Sequence, residues 1–275
     1  MQAFGGPVRL QAGDAADLTS SASAAEDIHR AHDVLAGLCA GGHGMLRLYR
    51  PFATAAFAPR DTALAAFPEA ASAMRERGFA PVERRTGGQL AVYDSRALVV
   101  DLVAPHADPR AHVVDRFAAF SGAIAAALRQ FSIDARVGQV AGEYCPGDYS
   151  VNGQGRVKLA GVAQRIGRHG YHLGAVISVK PSVAAAQAVA TAYRVLGLPF
   201  EPSSFGSLAD FSPDLDHVAL RDALIAALAG LLPVQAGVSA LTDEKFPGGG
   251  LVGDQHVAAD KADGAEQAFH LVVAA

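Results

Sequence analysis

The sequence predicts an α/β (α+β) fold, a mixed and largely antiparallel sheet flanked by helices. Short alternating apolar runs of strand type and longer runs with helical spacing both recur along the chain. They do not follow the regular strand–helix–strand alternation of a doubly wound sheet. Half of the 275 residues are apolar, at 51%, which suffices for one large core without disulfide staples.

The elements follow in order. Residues 1–22 are rich in Gly, Ala, Ser and Asp and read as a loosely held lead-in. "SAAEDIHRAHDVLAGLCAGG" is a helix, with Ile28, Val34, Leu35 and Leu38 at helical spacing and Gly41-Gly42 as its stop. "GMLRLYRPF" is a strand closed by Pro51, and "TALAAFPEAASAMRERGF" is helical on either side of Pro68. Two strands follow, at Leu90–Tyr93 and Ala97–Val103. Residues 109–130 form a helix with Val113, Phe117, Phe120, Ile124 and Leu128 on one face and Pro109 at its start. Lys158 leads into an apolar run of helical appearance, 171–179 alternates as a strand, and helices return at 182–196 and 216–231. The stretch 243–266 is rich in glycine and charge and reads as loop or disorder. The domain division is therefore a lead-in at 1–22, a main domain at 23–231 and an extension at 232–275.

Composition excludes several function classes. The net charge is −4 without a block of like charges, so the basic stripe of a nucleic-acid binder is missing. The longest apolar run, "LIAALAGLLPV", is too short for a membrane span and holds a proline. No signal-peptide pattern opens the chain, and the expected location is cytoplasmic. Cys39 and Cys145 are too few for a disulfide framework, and their spacing is not that of a zinc site. Cys39 is expected to pack at a helix end. "GGGLVG" at 248–253 satisfies G-x-G-x-x-G but follows Pro247 in a loop-like tail, so a dinucleotide site is rejected. The histidines of "HGYH", with His106 and His112, lack a carboxylate at helical spacing; no residue is assigned to a metal.

Two stretches concentrate glycine beside cations. In Arg84-Arg85-Thr86-Gly87-Gly88, paired guanidinium forks suit a carboxylate or phosphate, and glycine lets backbone approach a ligand. In "GEYCPGDYSVNGQGRVKLAG", one lysine offers a point charge for a developing oxyanion. Cys145 is either a nucleophile beside that lysine or a small buried side chain.

Taken in order, these pieces resemble the lipoate–protein ligase and octanoyltransferase family, of the biotin/lipoate protein ligase superfamily. The matching stretches are "LRLYRP", "RRTGGQLAVYD", "CPGDYSV", "KLAGVAQR" and "HLG", over roughly residues 25–180. The resemblance implies that Arg84, Arg85, Thr86, Gly87 and Gly88 line the acyl and nucleotide pocket. It further implies that Lys158 contacts the acyl carbonyl and a phosphate oxygen, that Asp148 stands at the nucleotide, and that Gly161 and His172 shape the cleft. Asp94 replaces the family's histidine, Gln89-Leu90 breaks its glycine run, and its Gly-Arg-Asn-Asp is reduced to Gly147-Asp148.

The activity implied is transfer of a lipoyl or octanoyl group to a lysine of a lipoyl-domain carrier protein, through an acyl-adenylate made with ATP and Mg2+. One alternative is cofactor-free transfer from a thioester, such as octanoyl-acyl carrier protein, with Cys145 as nucleophile. A second is a non-catalytic, acyl-binding pseudo-enzyme, to which Asp94 and the broken glycine run point. Lys158 fits the ligase pattern better than Cys145 fits that of the transferases, which puts the ligase first.

Overall fold

The computed structural model describes residues 3–12, 23–39, 42–232 and 239–240. The expectations for 243–266, including "GGGLVG", lie outside these residues.

Among the described residues, eight strands form the main sheet, in the order β11(Ser239–Ala240), β1(Val8–Ala12), β2(Gly44–Tyr49), β6(Ala97–Pro105), β10(Gly170–Ser178), β9(Val157–Ile166), β8(Val151–Gly153) and β7(Ala135–Val137). β1 runs parallel to β2 and β11, and the other pairs are antiparallel. A smaller sheet sets β3(Thr54–Phe57) between β4(Ala80–Glu83), parallel to it, and β5(Ala91–Tyr93), antiparallel. The mixed sheet with flanking helices is the architecture expected from the sequence.

Period-two alternation decides which side chains meet the core. Leu46 and Leu48 of β2, Leu98, Val100 and Leu102 of β6, and Tyr171, Leu173 and Ile177 of β10 enter the main core. There they meet Phe117, Phe120, Ile124 and Leu128 of α4(Val113–Arg129) and Leu220, Leu224 and Leu228 of α6(His217–Ala229). Their neighbours in sequence, among them Tyr49, Val99, Asp101, His172 and Val176, face the opposite way. That second face is covered by α1(Ala24–Gly37) and by the small sheet. α3(Phe67–Glu76) and α5(Val183–Leu196) pack with the small sheet into a second core containing Phe57, Met74, Leu90, Val92 and Tyr193. No helix among the described residues is long and apolar enough to cross a membrane.

Several elements differ from expectation. The apolar run after Lys158 is not helical: it is β9, a strand covered on both faces, where apolar residues at both parities imitate a helix. Residues 8–12, inside the expected lead-in, form β1 and pair with β2 over five residues. The helix expected from 109 begins at Val113, because the carbonyls of Pro109 and Ala111 accept hydrogen bonds from the Arg116 guanidinium. Pro68 lies at the second position of α3, where a missing N–H costs nothing; the preceding short helix is α2(Pro59–Thr62). Cys39 is exposed rather than packed.

Candidate active site

The side chains that turn away from the main core make one wall of a cleft. Tyr49, Val99, Asp101, His172, Gly174 and Val176 line it, opposite Ala56, Ala91 and Tyr93 of the small sheet and Ile28 and His32 of α1. Arg84, Thr86, Tyr144, Cys145 and Lys158 complete the lining. The cleft holds about 710 Å3 of empty space, its open mouth included, the size of a small-molecule site.

Lys158 is 1% exposed on β9. Its ammonium donates to Glu143 Oε1 at 3.1 Å and to the carbonyl oxygens of Tyr144 at 3.0 Å and Cys145 at 2.7 Å. An ammonium has three donors, so none is left over. Glu143 also accepts from the N–H groups of Val140 and Gly147 and from the Ser150 hydroxyl. This buried ion pair thus has the further hydrogen bonds it needs to offset desolvation. A Cβ at Gly161 would stand 3.2 Å from Lys158 Cε, so glycine there leaves room for the lysine stem.

Cys145 sits at the end of this anchor with φ of 44°, a left-handed conformation that costs a non-glycine residue about 1–3 kcal/mol. Its surroundings fix it there. Its N–H donates to Tyr193 Oη at 2.6 Å, the Tyr193 hydroxyl donates to Leu90 O at 2.9 Å, and Lys158 holds its carbonyl. The sulfur accepts the Gln89 N–H at 3.2 Å and lies 3.9 Å from Arg84 Nη2. Arg84 is itself held by Thr86 Oγ1 and Gln89 O, each at 2.7 Å. Gly88 closes against the thiol with φ of 92°, and a Cβ there would come within 2.8 Å of Sγ. Gly88→Ala is therefore expected to displace the thiol and destabilise the fold by about 1–2 kcal/mol. Slower alkylation of Cys145 by iodoacetamide, together with a lower denaturation midpoint, checks this; unchanged values would refute it.

The part of the cleft lining between α1 and β10 is polar. His172 Nε2 lies 2.8 Å from Asp101 Oδ1, and the His32 ring packs edge-on to His172 at 5.9 Å between centroids. Burial, then the neighbouring His172, Arg165 and Arg85, lower the His32 pKa to about 3. His32 thus stays neutral in the folded protein while the unfolded chain takes up a proton below its ordinary value near 6.5. Stability should fall as pH drops from 6.5 toward 3, by at most about 1.4 kcal/mol per pH unit from this group. Urea midpoints between pH 7.5 and 4.5 should decline less steeply for His32→Phe than for the unaltered protein. Equal slopes would contradict the assignment.

The cleft brings together Arg84, Thr86, Cys145, Lys158, Gly161 and His172 from the residues singled out in the sequence. Gly87, Gly88 and Asp148 line an adjoining cleft that shares Cys145, Val162 and Ala163 with the first. Arg85 is exposed and lines neither cleft; its carbonyl accepts from Arg165. Asp94 lies outside both, accepting the Ser182 hydroxyl and the Arg96 N–H at the start of α5. Glu143, Tyr193, Asp101 and His32 are participants that the sequence reading did not name.

A family model, the lipoyl protein ligase A/B catalytic domain, matches residues 61–229, more than half of the chain. The chain belongs to this family. Relatives include the octanoyl-[GcvH]:protein N-octanoyltransferases of Geobacillus kaustophilus, 31% identical over 145 residues, and of Exiguobacterium sp., 29% identical over 146 residues. Each alignment covers 53% of this chain and 51% of the relative, so the match spans about half the length of these proteins. The family fold is also that of a lipoate-protein ligase A crystallised with ATP, at TM-score 0.65 and 18% identity over 88% of this chain and 90% of that one. A lipoate ligase-like protein of T. acidophilum with bound lipoic acid has TM-score 0.59 and 20% identity, over 88% and 91%.

Proposed function

We propose that this chain is a cysteine-dependent acyltransferase that moves an octanoyl or lipoyl group from a thioester donor to a lysine of a lipoyl-domain carrier protein. The observation that carries this reading is the division of labour between Lys158 and Cys145. All three ammonium protons of Lys158 are engaged by Glu143 and the backbone of the Cys145 segment, while the Cys145 sulfur lines the acyl-sized cleft. This reverses the order suggested by motif matching alone. The names of the relatives, octanoyl-[GcvH]:protein N-octanoyltransferases, support transfer of a preformed acyl group over activation of a free acid.

In the first half-reaction the Cys145 thiolate attacks the donor's thioester carbonyl. A new C–S bond forms, the donor's C–S bond breaks, and the donor thiolate leaves and takes up a proton. In the second, the carrier's lysine amine attacks the acyl-cysteine; a C–N bond forms, the Cys145 C–S bond breaks, and the amine's proton passes to the departing sulfur or to solvent. Gln89 N–H and Arg84 are donors beside the sulfur, the contacts a negative sulfur needs each time it attacks or leaves.

The resemblance also implied ATP with Mg2+. The adjoining cleft presents the Asp148 carboxylate and no cationic side chain in its lining, and Lys158 has no donor to spare, so these residues do not fit a triphosphate.

The deciding experiment is intact-mass analysis of a lipoyl domain incubated with this protein. One reaction contains octanoyl-acyl carrier protein or octanoylated GcvH without ATP, and the other contains octanoate or lipoate with ATP and Mg2+. Mass gain in the first supports the proposal. Gain only in the second would make the chain a ligase, and gain in neither would leave an acyl-binding pseudo-enzyme.

A further inference from the structure

The acyl cleft is not apolar throughout. At its α1 end, His32, Asp101 and His172 are 3%, 5% and 4% exposed, yet His32 Nδ1, Asp101 Oδ2 and His172 Nδ1 have no hydrogen-bond partner in the protein. Buried polar atoms left unpaired carry a desolvation cost. Two of them lie on the sheet wall and the third faces them from α1, so a ligand between the two could supply the missing contacts.

Their chemistry restricts that ligand. In the tautomer in which His172 Nε2–H donates to Asp101 Oδ1, the other ring nitrogen, Nδ1, is a bare acceptor. Asp101 Oδ2 is a second acceptor. His32, neutral and edge-on to His172, accepts or donates according to its tautomer. Acceptors therefore predominate, and the complement is a group with N–H, O–H or S–H donors.

Position restricts it further. Gly161, which adjoins Lys158, is paired across the sheet with Val176, and His172 lies four residues along β10 from Val176. Four residues of strand span about 13 Å, comparable to an extended eight-carbon acyl chain whose carbonyl lies on the Lys158 side. The polar group would be met by the last carbons of the chain.

We propose that His32, Asp101 and His172 form a specificity site for an acyl chain carrying hydrogen-bond donors on its terminal carbons, such as the dithiol of a reduced lipoyl group, in preference to a saturated octanoyl chain. This rests on the cleft being the acyl pocket of the function proposed above. It narrows the substrate class within that reading.

The test uses binding rather than turnover. Calorimetric titration of the full chain with octanoic acid and with 8-hydroxyoctanoic acid compares ligands that differ only in a terminal donor. The hydroxy acid is expected to bind about tenfold tighter or more, because a saturated end leaves the site's acceptors unpaired. His32→Phe should reduce or reverse that preference. Equal or tighter binding of octanoic acid by the unaltered chain would overturn the specificity site while leaving the acyl pocket in place. Failure of both acids to bind would overturn the acyl pocket and this inference together. The comparison in the unaltered protein decides the matter even if the variant does not fold.

Discussion

Cys145→Ser should reduce acyl transfer by at least about a thousandfold, equivalent to ~4 kcal/mol of transition-state stabilisation. It should also abolish the acyl adduct seen on this chain by intact mass in the absence of acceptor. The argument is geometric. The sulfur lines the cleft between a backbone donor and a guanidinium, and the residue is held at positive φ by bonds to its own N–H and carbonyl. Serine keeps those backbone bonds, so the denaturation midpoint should move little while the nucleophile is lost. Cys39, exposed at the end of α1, is the internal control: Cys39→Ser should leave transfer unchanged. Substantial transfer by Cys145→Ser from a thioester donor would remove the cysteine mechanism.

Much of this site was legible in the sequence, and the remainder was hidden for identifiable reasons. The glycine-cation loop and the lysine-cysteine stretch do meet, because Lys158 of β9 holds the Cys145 segment against Arg84 and Gln89 at the end of the small sheet. The strand character of β9 was masked by a register shift opposite Val151 and Asn152: Leu159 and Ala160, adjacent in sequence, are both fully buried in the main core, so the alternation that marks a half-exposed strand is missing. Glu143 could not be recognised as the partner of Lys158, since fifteen residues separate them and only the pairing of β8 with β9 returns the chain. Tyr193 reads as one more apolar residue on the buried face of α5; its hydroxyl matters because it reaches both Leu90 and Cys145, more than forty residues away in sequence. His32 did leave a signal. It stands four residues after Ile28 and three before Leu35, which places it on the buried face of α1, where a histidine needs an explanation.

Lys158→Met separates two accounts of the lysine. If its role is to hold the Cys145 segment, the substitution leaves the Glu143 carboxylate, 2% exposed, without its cation and should destabilise the protein by about 3–5 kcal/mol. Loss of the bonds to the Tyr144 and Cys145 carbonyls should let the thiol drift, and a displacement of about 1 Å can cost a hundredfold in rate. Adding Glu143→Gln removes the unpaired charge, so the double variant should recover much of the lost stability. It should not recover transfer, because the two carbonyl bonds from the β9 side are not remade. If the lysine instead contacts an activated acyl group directly, Lys158→Met should abolish an ATP-dependent activity with little change in stability. Urea midpoints and transfer rates for the unaltered, single and double variants therefore discriminate between the accounts. A single variant that is as stable as the unaltered protein yet inactive would return the lysine to chemistry and undo its assignment as an anchor.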